Sequence, residues 1–347
     1  MPQPIYVPVT SAPDAGPDIA KQTALTLARL DERLRAEHSS LADAVVVTVY
    51  LRKAADFAAM NDAYRQAWTA LPPTRTTVVS EPAAKDALVE MAAVAVPSGT
   101  ERRLVHPASW ATSPNPYSYG IRAGDTLFLS GLIPRNGRDN TVVTGDVIVQ
   151  TRAVLDNARE VLDAAGLSLD HVASARVFLP DLGDFDAMNR VYRDYFPAAP
   201  PARATVGATL TAPAYKVEMT FIASAGPRRV VSGEGAPNPN LSAAIVAGDA
   251  AYISGLLADA SVVDNGGDAA AQTRDILRKL DALLTKGGLS RAHVRDLLVY
   301  VTDGESGRVA SAACRAAFGA KAAITPVTVS LAMARARVEI MTVAATA

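Results

Sequence analysis

Three stretches decide the fold: IAKQTALTLARLDERL at 19–34, VIVQTRAVLDNAREVL at 147–162 and AAAQTRDILRKLDALL at 269–284. Each reads as the start of a helix, and each carries a Gln-Thr pair at the same place: Gln22-Thr23, Gln150-Thr151 and Gln272-Thr273. Working outward from the first two, Gln22 and Gln150, Asn61 and Asn189, Arg75 and Arg203, and Glu90 and Glu218 are all 128 residues apart. The third copy follows the second by 122 residues at Gln272, Asp303 and Phe318 and by 121 at Glu339. Self-similarity at a constant period is the signature of tandem modules, each a unit of supersecondary structure. The chain therefore divides into repeat one at 1–98, repeat two at 99–226 and repeat three at 227–347, with Pro-, Gly- and Ser-rich joints near 97–103 and 225–229.

Repeat two is the most legible. SPNPYSYGIRAG leads through turn residues into a short strand, and DTLFLSGLIP reads as a second. Val154, Ala158, Val161, Leu162 and Ala165 recur at helical spacing, and Gly166 stops the helix. HVASARVFLP is a further strand, and Asp184 is expected to cap a helix running to Phe196. ARATVGATL and YKVEMTFIAS read as an antiparallel hairpin around Ala212-Pro213. The order ββ-α-β-α-ββ predicts an α+β module with one sheet and two helices on one face. Repeat one has room for a single strand, IYVPV, in place of the leading hairpin.

Bulk properties exclude several classes. The 347 residues carry a formal net charge of −1, about half are apolar, and no run of Lys or Arg exceeds a pair. Neither a nucleic-acid surface nor a membrane surface is expected from that balance. No apolar run is long enough to span a bilayer, and MPQPIYVPVTS lacks the layout of a secretory signal. One cysteine, Cys314, precludes an intrachain disulfide, and a cytoplasmic setting is expected. His171 and His293 hold equivalent turn positions, while His38 and His106 have no partner at metal-ligand spacing, so neither a metal nor a cofactor is expected.

Strand alternation sets Arg203 and Thr205 on one face, and Glu218 opposite the apolar Val217, Met219 and Phe221. A guanidinium suits a bidentate carboxylate, and a nearby Glu can handle the protons of a water. A structural Arg–Glu pair on the sheet is the competing reading. Phe185 and Asn189 share a helical face, as do Phe57 and Asn61.

The string SGLIP, Q-T, V-L-D-N, V-F-L-P-D, D-F-D-A-M-N-R-V-Y, P-P-A-R-A-T-V and V-E-M resembles the Rid (YjgF-like) reactive-intermediate deaminase family along the whole of repeat two. The likeness extends to repeat one from Gln22 onward and, more weakly, to repeat three. It implies a chorismate-mutase-like module of a kind that usually forms homotrimers. Here one chain would mimic the trimer, as an intramolecular pseudo-trimer with a central β-barrel and outer helices. It implies hydrolytic deamination of small 2-imino or enamine carboxylic acids to keto acids and ammonia, in clefts between repeats. Arg75, Glu90, Arg203 and Glu218 are then the catalytic candidates. Phe57, Asn61, Thr77, Tyr117, Ser130, Gly131, Phe185, Asn189, Thr205, Ser254 and Gly255 are the substrate-binding candidates. Thr77 and Thr205 stand where the family often has Cys. Repeat three has Ile324 for the Arg, Gly307 for the Phe, Ser311 for the Asn and Leu241 for the Tyr, and keeps only Ser254, Gly255 and Glu339. Joining each Arg/Glu half to the hairpin of the next repeat yields one complete cleft, Arg75, Glu90, Phe57 and Asn61 with Tyr117, Ser130 and Gly131. A non-catalytic carboxylate-binding protein, and a hydrolase or lyase acting on a larger carboxylate or ring, are the alternatives.

Overall fold

The repeated glutamine has a structural reason. Gln22, Gln150 and Gln272 are fully buried. Each side-chain oxygen accepts the backbone N–H two residues ahead of the repeated glutamate: from Leu88 (2.7 Å), Lys216 (2.7 Å) and Arg337 (2.7 Å). The side-chain amide of Gln22 donates to Gly16 O and Asp86 O, and that of Gln150 to Ala214 O. One amide thus bonds on both sides, as a buried amide must, and ties the first helix of each repeat to the strand that carries its glutamate.

The computed structural model describes residues 3–68 and 70–346. In repeat two, Asp146 accepts the Val149 N–H and opens the helix Val147–Ala164, and Gly166 takes φ +71° just past its end. That helix and Phe185–Tyr195 pack together over one face of the sheet, around a core that includes Val154, Leu155, Val161, Met219 and Phe221. The second helix is started differently from the expectation: Asp184 receives no capping hydrogen bond, and Asp181 takes the Gly183 N–H at the head of a short 3-10 turn, Leu182–Asp184, that leads in.

The central strand of this sheet is Val172–Leu179. Ala202–Gly207 runs parallel on one side of it and Glu218–Ser224 antiparallel on the other, followed by Thr126–Leu129, Gly120–Ala123 and Arg102–Val105. The expected hairpin between the Arg203 and Glu218 strands is therefore wrong. The two strands flank a third, because the helix Phe185–Tyr195 returns the chain parallel to Val172–Leu179, and the glutamate strand takes its other edge. Alternation reports which face of a strand is buried but not which strand lies beside it. Repeat three has the same order, and repeat one has it without the outer two strands, Ile5–Ser11 taking the place of the hairpin.

Short strands cross two of the seams between repeats. Thr209–Leu210 of repeat two pairs with Val78 and Val79 of repeat one, and Ser330–Leu331 of repeat three pairs with Val206 and Gly207 of repeat two. At the matching place in repeat one stand Glu81 and Pro82, and proline has no N–H for a ladder. Here Ser80 Oγ donates to Thr328 O (2.9 Å) and the Val9 N–H to Thr325 Oγ1 (3.3 Å). Of the expected central β-barrel the structure has three sheets, of five, seven and six strands, and they do not join into a closed barrel. A shared apolar cluster including Tyr50, Val78, Phe178, Val206, Tyr300 and Val327 joins all three repeats.

Candidate functional site

Arg75 lies on the strand Thr74–Val79 and is 5% exposed. Its N–H donates to Ser130 Oγ (2.9 Å) and its carbonyl accepts from the Gly131 N–H (3.0 Å). Ser130 Oγ in turn donates to Ser118 O (2.7 Å). The Ser130 hydroxyl is therefore spent on joining two repeats, and its contribution is to fix where Arg75 sits. The guanidinium carbon stands 5.0 Å from the Tyr64 ring, 5.6 Å from Tyr117 and 5.7 Å from Phe57. Arg75 Nη1, Asn61 Oδ1, Tyr64 Oη and Thr77 Oγ1 are buried without hydrogen-bond partners. Asn61 Nδ2 reaches Asn115 Oδ1 at 3.3 Å. A buried donor left without an acceptor costs about 1–3 kcal/mol, so an acceptor brought to Arg75 Nη1 from outside the chain would be favoured there.

The carboxylate that faces Arg75 is Glu218. It interacts with Arg75 and accepts the Thr77 N–H. Burial nevertheless pushes its pKa up to about 8. It lies against Gly131, where a Cβ would sit 2.9 Å from Glu218 Cδ, 3.1 Å from Thr76 Oγ1 and in collision with Oε1. The expected partner, Glu90, is elsewhere: it accepts the N–H groups of Ala83 (3.2 Å) and Ala84 (3.1 Å). The sheet order explains the correction. Within a repeat the Arg and Glu strands lie on opposite sides of the central strand. The Glu strand borders its own hairpin, and that hairpin docks on the arginine of the preceding repeat.

The second cleft follows the same rule. The Arg203 N–H donates to Ser254 Oγ (2.8 Å), which donates to Ser242 O (2.6 Å). A Cβ at Gly255 would lie 2.8 Å from Glu339 Cδ. Burial lifts Glu339 to about 8, against the pull of Arg203. Arg203 rests over Tyr192, 4.4 Å from the ring, and donates from Nη2 to Asn189 Oδ1 (2.7 Å), while Nε, Nη1 and Thr205 Oγ1 have no partner. Phe185 packs against the repeat-two core. Leu241 stands where the first cleft has Tyr117, and it borders a groove of about 400 Å³ together with Pro200, Val230 and the loop 232–238. Tyr117 and Gly131 line a cavity of about 20 Å³.

At the third interface the arginine, the tyrosine beneath it and the hairpin glycine have all changed. Ladder register places Leu132 opposite Met219, Leu256 opposite Ile340 and Thr10 opposite Met91, so Val9 is the counterpart of Gly131 and Gly255. The third interface thus has a valine where the other two have the glycine against which a glutamate lies, and there Glu90 accepts the N–H groups of Ala83 and Ala84. Ile324 replaces the arginine, and Cys314 replaces Tyr64 and Tyr192; its buried thiol is pushed up to about 12. Ser254, Gly255 and Glu339, the residues repeat three retains, are those that serve Arg203.

The two turn histidines are structural: Nδ1 of His171 accepts the Ser168 N–H and Nδ1 of His293 the Ser290 N–H. Among the described residues no cluster of three or more His, Cys, Asp or Glu could hold a metal ion, and no helix is long and apolar enough to cross a membrane.

The profile of one protein family, endoribonuclease L-PSP, matches the chain three times, at residues 7–97, 110–225 and 234–346. The chain belongs to this family, which includes the YjgF and RidA proteins. A RutC family protein of Sulfurisphaera tokodaii is 48% identical over 111 residues, 32% of this chain and 89% of the relative. Protein DfrA of Myxococcus xanthus is 42% identical over 124 residues, 35% of this chain and 95% of its own. A 2-iminobutanoate/2-iminopropanoate deaminase of Capra hircus is 33% identical over 135 residues, 39% of this chain and 98% of its own. Among solved structures, the YjgF gene product of E. coli is 31% identical, covers 35% of this chain and 98% of its own, and has a TM-score of 0.34. Each of these relatives spans about one of the three Rid modules.

Two features of this Rid chain escape a reading by strand and helix alone. Tyr64 and Tyr192, under the two guanidinium groups, were not among the expected site residues. The signal was available: they keep the 128-residue offset, and the tyrosine is lost, as Cys314, in the repeat that also lost its arginine. Asn115, the partner of Asn61, leaves no such trace, because Pro239 takes its place in repeat three.

Proposed function

We propose that this chain is a hydrolytic deaminase of small 2-imino and enamine carboxylic acids, working in the cleft between repeats one and two. The supporting observation is the buried, unpartnered face of Arg75 beside a glutamate whose pKa is raised to about 8. The three repeats stand in for three subunits of a ring, with clefts at two of the three seams. Arg75 takes the substrate carboxylate and Tyr117 covers it, which fixes the C=N carbon near Glu218. Near neutral pH Glu218 is largely protonated, so it gives its proton to the imine nitrogen. The resulting carboxylate takes a proton from water as the water oxygen bonds to carbon. Glu218 then gives that proton to the amine nitrogen, the C–N bond breaks, and the hydroxyl proton passes back to Glu218 as C=O forms, so ammonia and the keto acid leave and Glu218 is protonated again.

Leu241 in place of Tyr117 supports a second reading for the Arg203 cleft: the same anchor, with a smaller side chain over it, for a longer carboxylate. RNA cleavage is disfavoured because His171 and His293 are committed to their turns.

The test is release of ammonia and keto acid from an imine generated in situ by an amino-acid oxidase, with wild type against Arg75→Ala, Arg203→Ala and the double variant. Equal rates in wild type and the double variant sink the catalytic reading. Ligand-dependent thermal stabilisation without turnover would leave a carboxylate-binding protein.

A further inference from the structure

Between the inner strands of the three sheets lies a cavity of about 70 Å³. All three repeats line it, and its polar groups include Tyr6, Thr48, Ser174, Arg176, Asp296 and Thr325. The charged pair is peculiar to a fused chain. Thr48, Arg176 and Leu298 occupy one position of the repeat, facing Ala92, Thr220 and Met341 across their ladders. Val46, Ser174 and Asp296 occupy another, two residues earlier. Three identical subunits would present any charge here three times over, and like charges around one buried point repel strongly. This chain presents one cation and one anion.

The two charges do not satisfy each other. No nitrogen of Arg176 lies within 4.0 Å of an Asp296 oxygen, and neither side chain forms a hydrogen bond with a described residue. Arg176 acts on Asp296 only across the cavity, and burial leaves Asp296 at about 7. An unbridged pair inside a fold is a poor source of stability, since the desolvation of each ion goes uncompensated.

We propose that the cavity is a second ligand site, for a zwitterionic amino acid of glycine or alanine size. Its carboxylate would meet the Arg176 guanidinium and its ammonium the Asp296 carboxylate, with Thr48, Ser174 and Thr325 as neighbouring hydroxyls. At roughly 10–15 Å³ for each water, the volume holds about five to seven waters, a range that includes the heavy-atom count of such a molecule. Tyr6 and Phe128 also line a neighbouring cavity of about 40 Å³ with Gln3, Asp125 and Asp249.

The test is titration calorimetry on the Arg75→Ala/Arg203→Ala double variant, so that the two clefts contribute nothing. Glycine and alanine are expected to bind saturably, and acetate, methylamine and leucine at least about tenfold more weakly. Adding Arg176→Met or Asp296→Asn is expected to weaken glycine binding by at least about tenfold. No saturable glycine binding in the double variant, or binding unchanged by both substitutions, overturns the proposal. So does leucine binding as tightly as glycine, a comparison that needs no variant within the cavity. Because the clefts are disabled throughout, failure here is separate from failure of the deaminase reading.

Discussion

Replacing Gly131 by alanine should bring the first cleft toward the arrangement of the third interface, which has Val9 at this position. The added methyl would lie 2.9 Å from Glu218 Cδ and 3.1 Å from Thr76 Oγ1, and would overlap Oε1. Thr76 Oγ1 is held against Thr220 Oγ1 at 2.7 Å, so it has little room to retreat. The carboxylate is what must move, and Val9 with Glu90 shows where such a glutamate goes. The steric cost is expected to be about 1–3 kcal/mol, the usual range for one extra carbon in a packed interior. The chemical cost is larger, because a displaced Glu218 no longer handles protons at the substrate, a contribution of about 10²–10⁴ in rate. Imine hydrolysis should be followed in an Arg203→Ala background, so that only the first cleft is read. Gly131→Ala should then lower kcat by about 10²-fold or more while carboxylate binding at Arg75 changes little. Glu218→Gln should do the same, and the two together should be no worse than Glu218→Gln alone, as expected of residues acting through one interaction. Near wild-type kcat in Gly131→Ala, or effects that multiply in the double variant, would refute the placement of Glu218.

Arg75→Ala should abolish stabilisation by a small keto acid at the first cleft, and Arg75→Lys should recover little of it, since an ammonium lacks the two-pronged geometry; thermal melts with and without ligand read both. Glu218 and Glu339 have folded pKa values of about 8, raised by burial. Their stabilising contribution is therefore complete below the ordinary carboxylate range and is lost as pH rises through about 8. Urea midpoints of wild type should fall across that window, and those of Glu218→Gln/Glu339→Gln should fall less. Ile324→Arg alone should create no third site, because Glu90 is bonded to the Ala83 and Ala84 N–H groups and Val9 stands in place of the cleft glycine; unchanged ammonia release in the Arg75→Ala/Arg203→Ala background is the expected outcome. Leu241→Tyr should narrow the second cleft, and a drop in the rate with longer imino acids relative to short ones, measured in an Arg75→Ala background, would show it.

Much of the architecture was legible because it is periodic. The Gln22, Gln150 and Gln272 helices and the constant offsets to Asn, Arg and Glu revealed three modules, and the family resemblance they carried holds across the chain. The lesion at the third interface was legible as well, as Ile324, Gly307, Ser311 and a missing hairpin. The pairing of Tyr117 with Arg75 followed from asking which combination of halves leaves one cleft whole. Glu90 was placed wrongly for a physical reason: offset and alternation say that a glutamate faces away from the core, and both Glu90 and Glu218 do.

By itself, then, the sequence determined the module, its copy number and the chemical groups available, since these depend on local periodicity and residue type. Tertiary structure alone decided which glutamate faces which arginine. That depends on strand order: the Arg and Glu strands flank a common neighbour, so each site draws its guanidinium from one repeat and its carboxylate from the next. It also decided that Val9 stands where two glycines stand, through a bulge in the ladder that shifts the register by one residue. The third seam has Pro82, which offers no N–H to a ladder, where the second repeat has a bridging strand, and there Ser80 Oγ donates to Thr328 O instead.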